Sequence, residues 1–201
     1  MRFRGKAALT LLLSVVTGLM ALYGMSGYGG SAGNGGRPAT GVTRDQVLHG
    51  RYLVTAVSGC ADCHSREKGP GDPGWLAGFV QAPAAQPFMI QGLKVYPSNL
   101  TVDSTGLGFW TANEIFNSLR NGQDPEGMYL APAMPWIVYR NMTDQDLWAI
   151  AAYLKSIKPV ENQVPQSEAP VAAGQHGGWE SAYAALKPLP PYPAASEVEV
   201  R

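Results

Sequence analysis

The sequence predicts an all-α domain with long irregular connections, folded around one large bound group. Two observations give the class: three segments open with a helix-capping signal and continue with apolar residues at helical spacing, and no segment sustains period-two alternation. A third points to the bound group. The stretch from Lys68 to Val102 is rich in Gly and Pro, and some thirty-five residues without regular structure are uncommon in a compact domain unless something organises them.

The first helix is expected from Arg44 towards Val57. Thr43 and Gln46 form the capping pair, and Val47, Leu48, Tyr52 and Leu53 recur at helical spacing. The second is expected over 112–121, with Thr111 and Glu114 as capping box, Ile115, Phe116 and Leu119 on one face, and Gly122 just past its end. The third starts at the Thr143–Asp146 pair and runs through Leu147, Ile150, Ala151, Leu154 and Ile157 to a stop at Pro159. These elements define a globular segment, 42–160.

Composition narrows the partners. The 201 residues suffice for one domain with appendages, and 15 basic residues balance 15 acidic ones, so the chain carries no electrostatic footprint for nucleic acid. Two cysteines exclude a disulfide-stapled mini-protein and a four-cysteine zinc site.

At the N-terminus, Arg2, Arg4 and Lys6 precede an uncharged stretch from Ala7 to Met25. As a helix it would cover about 28 Å, enough to cross a bilayer. Residues 1–25 are therefore expected to be a transmembrane anchor, with a cleaved export signal as the alternative. Either places the rest in the periplasm, since basic flanks stay cytoplasmic. Residues 26–41 continue as a glycine-rich tether with a reach of about 20 to 25 Å. Residues 161–201 form a proline-rich tail, with a short helix expected over 179–187 and an extended course beyond Pro188. Trp179, Tyr183, Leu186 and Tyr192 favour a tail that wraps its own domain or docks on a partner over one that is disordered.

Cys60-Ala61-Asp62-Cys63-His64 is the high-specificity motif, the C-x-x-C-H signature of covalent haem attachment. One helical turn sets both sulfurs on one face, as attachment along one porphyrin edge requires. His64 is then the proximal iron ligand, and a backbone carbonyl should accept its other ring N–H and fix the tautomer, with Pro70 as the candidate. A thioredoxin-like dithiol would need a βαβ pattern, which is absent. A zinc site would need two more ligands and would have to recruit His49 and His176. His49 reads as a surface or packing residue.

The sixth ligand separates a carrier from a catalyst. Met89, Met128, Met134 and Met142 are the candidates, against the ordinary role of methionine as core filler. Met134 is the best presented, because Pro135 biases its backbone towards extended and Pro132 stiffens the approach. An open sixth position would instead make a haem enzyme or a gas sensor.

The motif, Asn99-Leu100-Thr101, Gly108-Phe109-Trp110-Thr111, Leu119-Arg120-Asn121-Gly122, Pro132-Ala133-Met134-Pro135-Trp136 and Met142-Thr143-Asp144-Gln145-Asp146-Leu147 follow the order seen in class I c-type cytochromes. Over about 47–160 the chain resembles the cytochrome c subunits of bacterial membrane-bound dehydrogenases. The resemblance implies the class I cytochrome c fold, one heme c on Cys60 and Cys63, and His64 with Met134 on the iron. It also implies that Asn99, Thr101, Trp110, Arg120 and Trp136 lie near the haem, though Trp110 and Trp136 also suit a core and Arg120 a helix C-terminus. The implied role is a monohaem electron carrier, not an enzyme, tethered to the outer face of the inner membrane. It would run between a dehydrogenase or quinol complex and a terminal oxidase or other acceptor; a fixed relay inside a larger complex is the other form of that role.

Overall fold

The computed structural model describes residues 41–65, 68–80, 85–170 and 178–185. The expected anchor and all of the tether except Gly41 lie outside the described residues, as do Leu186, Tyr192 and the prolines from 188 onward. Among the described residues no helix is long and apolar enough to cross a membrane.

Helix α1 covers Arg44–Tyr52, and Thr43 caps it by accepting from the Gln46 N–H. The expected helix does reach Val57, but its last five residues, Leu53–Val57, widen into a π-turn closed by Ser58 N–H donating to Leu53 C=O at 2.8 Å. Such turns re-aim the chain at functional sites. Here Gly59 then turns left-handed and delivers the short helix α2, Cys60–His64.

Two three-residue strands follow, β1 (Phe88–Ile90) and β2 (Leu93–Val95), paired antiparallel through Met89 and Lys94. This corrects the all-helical expectation. Strands this short show no readable alternation, and the turn that joins them, Gln91-Gly92 with φ of 52° and 84°, has the positive dihedrals of a two-residue hairpin.

Helix α3, Ala112–Asn121, has the expected limits, with both halves of the Thr111–Glu114 capping box formed. Gly122 ends it at φ 71°, and a Cβ there would lie 2.1 Å from the Trp136 ring, so both conformation and packing demand glycine. Helix α4 is a single turn, Trp136–Tyr139.

Helix α5, Asp144–Leu154, begins at the expected cap but stops short of Pro159. Lys155 turns inward instead, its Nζ donating to the carbonyls of Trp110 and Leu107. Every residue from Leu147 to Leu154 is buried, so α5 is the central helix rather than an amphipathic surface one. Its Trp148 stacks on Phe116 of α3 at 4.7 Å.

Helices α1 and α5 cross at Gly50, where an added Cβ would meet Ala149 O at 1.9 Å and Tyr153 Cβ at 2.8 Å. A short helix α6, Glu180–Tyr183, falls within the expected 179–187 and packs on the domain. Among the described residues, most buried apolar side chains fall into two clusters. One gathers α1, α3 and α5; the other gathers Val95, Trp136, Trp179 and Tyr183.

The α1–α5 crossing generates a stability prediction. Gly50→Ala should destabilise the holoprotein by roughly 2–4 kcal/mol, since overpacking against backbone cannot relax by a rotamer change. Gly41→Ala, which meets nothing within 4 Å, is the control. Denaturant midpoints for the two variants check this, and equal midpoints would refute the close crossing.

Candidate cofactor site

Between the two clusters lies a cavity of about 650 Å³, within the roughly 300–1,000 Å³ that ligand sites occupy. Cys60, Cys63 and His64 of α2 line it. Burial pushes the Cys60 thiol up to about 12, opposite to the depressed thiols of reactive dithiols.

His64 is buried, and its Nδ1 lies 2.7 Å from the Ser98 carbonyl. A carbonyl only accepts, so Nδ1 carries the proton and the lone pair is on Nε2. Burial lowers the imidazole pKa, against the opposing effect of the Ser98 bond, and this favours the neutral ligand form. The accepting carbonyl corrects the expectation of Pro70, which is exposed. Ser98 acts through its backbone, so no side-chain signal announces it.

Two stretches hold this arrangement. Gly78 N–H donates to His64 C=O at 2.8 Å, Phe79 N–H to Pro97 C=O, and Leu100 N–H to Leu76 C=O. Leu76 is fully buried at φ 57°, an uncommon conformation for leucine, and its N–H is fixed by Ser65 Oγ at 2.9 Å. Asn162, beyond α5, donates from Nδ2 to the carbonyls of Ala77 and Phe79. Much of the long loop is thus ordered by the protein's own hydrogen bonds.

The candidate methionines separate cleanly. Met134 and Met128 line the cavity, while Met89 is exposed on β1 and Met142 packs into the main cluster. Met134 touches both clusters and sits in a turn closed by its N–H donating to Ala131 C=O at 2.9 Å.

Of the further residues expected near the haem, Asn99 and Trp110 line the cavity. Thr101, Arg120 and Trp136 are not among its lining residues, for separate reasons. Thr101 Oγ1 is engaged by the backbone of Val160, accepting from its N–H and donating to its C=O. The Arg120 guanidinium joins α3 to the start of α5 by donating to Asp144 and to the Arg140 carbonyl. Trp136 is buried in the second cluster. His49 pairs with Asp146 across α1 and α5 at 2.7 Å, and His176 lies outside the described residues. Among the described residues no three His, Cys, Asp or Glu side chains converge as a metal site.

Among the lining residues that sequence reasoning did not place at the site are Tyr139, whose hydroxyl donates to Ser58 C=O, and Gly178 and Trp179 from the tail. The first is hidden in an apolar run, and tail aromatics announce docking without saying where.

These residues fit a c-type haem: two cysteines one helical turn apart, an imidazole whose Nδ1 is engaged by Ser98, a methionine lining the same cavity, and a lining that includes Leu100, Leu107, Ile115, Leu119, Ile150 and Leu154.

Comparison with known proteins agrees. The cytochrome c family profile matches residues 49–158. A nicotinate dehydrogenase subunit of Pseudomonas putida is 29% identical over 150 residues, 73% of this chain and 12% of that protein. The fructose dehydrogenase cytochrome subunit of Gluconobacter japonicus is 31% identical over 131 residues, 63% of this chain and 24% of that protein. The cytochrome c subunit of the quinone alcohol dehydrogenase of Gluconacetobacter polyoxogenes is 32% identical over 116 residues, 57% and 22% respectively. The chain thus spans 12% to 24% of the length of these relatives.

Asn99 should behave as a brace of the cavity wall. It is almost fully buried, donates to Thr105 Oγ1 and Val160 C=O, and accepts from Thr101 N–H. Asn99→Ala strands these groups and should cost about 2–3 kcal/mol. Guanidinium unfolding of the holoprotein measures the loss, and an unchanged midpoint would show that the brace is idle.

Proposed function

The chain belongs to the cytochrome c family, and from that premise we propose that it is a monohaem electron carrier working with a dehydrogenase, with His64 and Met134 on the iron. The observation that carries this reading is the placement of His64 and Met134, from separate elements, on the wall of one cavity with both thiols.

When bound, the haem supplies a one-electron ferrous–ferric couple. The residues determine what that couple is used for. Cys60 and Cys63 would hold the group covalently, so that it would not exchange between turnovers. His64, with its tautomer set by Ser98, gives a fixed imidazole donor. Met134 would hold the iron with a soft thioether, which would raise the potential relative to a second histidine. A haem held by both His64 and Met134 would have no place for a substrate, and such a site would favour electron passage, in keeping with a carrier rather than an enzyme. The apolar wall of Leu100, Leu107, Ile115 and Leu119 disfavours the extra charge of the oxidised state.

The two cysteines limit this chain to one group held by two thioethers. Its immediate partners would be a dehydrogenase or quinol complex as donor and a terminal oxidase or similar acceptor. Residues 1–25 would anchor it at the periplasmic face of the inner membrane, and the glycine-rich segment would let the domain move between partners at raised effective concentration. The relatives support the association, being named as subunits of dehydrogenases.

Met134→Ala tests the ligand. The ferric protein should lose its sulfur-to-iron charge-transfer band, bind cyanide or carbon monoxide readily, and show a lower potential, while Met128→Ala keeps all three properties. A band that survives Met134→Ala would assign the sulfur elsewhere. A wild-type protein with an open iron would favour a haem enzyme or sensor.

A further inference from the structure

The family match ends at residue 158, yet the chain beyond it returns to the cavity. Tyr96 N–H donates to Ser167 Oγ, Lys94 N–H to Glu168 Oε2, and Glu168 N–H to Lys94 C=O, so residues 167–168 lie along β2. Gly178 N–H donates back to Pro170 C=O at 2.9 Å, and Gly178 and Trp179 then line the cavity itself. Trp179 is 3% exposed, an unusual degree of burial for a tryptophan so far outside a family's common region.

Tyr183, one turn further, grips the methionine loop at both ends. Its hydroxyl donates to the Leu130 carbonyl at 2.9 Å, four residues before Met134. Its ring packs at 5.4 Å on Tyr129 and edge-on at 4.8 Å on Trp136, which flank the loop on either side of the methionine. On its other side the loop is tied by Leu130 N–H donating to the Gly122 carbonyl and by the antiparallel bridge between Gln123 and Tyr129.

We propose that the C-terminal segment 178–185 is a clasp that holds the methionine loop closed, with Tyr183 and Trp179 as positioning residues for the sixth ligand. The proposal rests on Met134 being that ligand. A thioether is a weak iron donor, and its residence depends on how often the loop opens. Contacts made only in the closed loop lower the open population by their own free energy. The Tyr183 hydrogen bond and its two ring contacts are contacts of that kind.

The test uses the full-length ferric holoprotein and the rate at which cyanide replaces the sixth ligand, with the sulfur-to-iron band recorded alongside. Tyr183→Phe keeps the ring and removes the hydroxyl, and should quicken cyanide uptake roughly five- to tenfold. Trp179→Ala should quicken it further and weaken the band, while Ser181→Ala on the exposed side of α6 leaves both at wild-type values. A normal band with wild-type uptake in both Tyr183→Phe and Trp179→Ala would overturn the clasp alone. A wild-type protein without the band, or a band that persists in Met134→Ala, would overturn the ligand assignment and the clasp together.

Discussion

The hydrogen bond from His64 Nδ1 to the Ser98 carbonyl, 2.7 Å long, is the contact on which the site depends. An imidazole free to rotate or change tautomer could not present one nitrogen reliably to a metal. The bond joins residues 34 apart in sequence, so the intervening loop has to be held as firmly as the histidine. The structure does this with backbone contacts between 76–79 and 97–100 and with side chains that bond to backbone, Ser65, Asn99 and Asn162 foremost. Small polar residues thus take the place that sheet ladders hold in other folds.

A domain with so much irregular chain has a small apolar core. Members of both clusters line the cavity, and Met134 packs against both. Filling the cavity with an apolar ring would unite them. Haem attachment is on this view part of the folding free energy as well as of the function, in the way that metal binding is for small metal-dependent domains. The tail adds to the same economy by supplying Trp179 and Tyr183 to the smaller cluster.

Much of this was legible from residue order, and the reasons differ element by element. The limits of α3 were readable because Thr111, Glu114 and Gly122 each have a local job that their chemistry dictates. The motif at 60–64 was readable because thiol pair and histidine must be neighbours for the chemistry. The β hairpin was not, since three residues per strand leave no periodic record. Ser98 was hidden because its contribution is a carbonyl that every residue possesses. Thr101 and Arg120 show the converse. Motif order brought both into view, but the side chains are engaged by Val160, Asp144 and Arg140 rather than by the cavity.

The central claim is that a haem is bonded to Cys60 and Cys63 beside His64. The most direct measurement is the mass of the intact chain after acid denaturation, followed by peptide mapping. The account predicts a chain heavier by one haem, with the added mass confined to the peptide spanning residues 60–64 and unaffected by acid–acetone treatment. A chain of unmodified mass, or a pigment that acid acetone extracts, would contradict it.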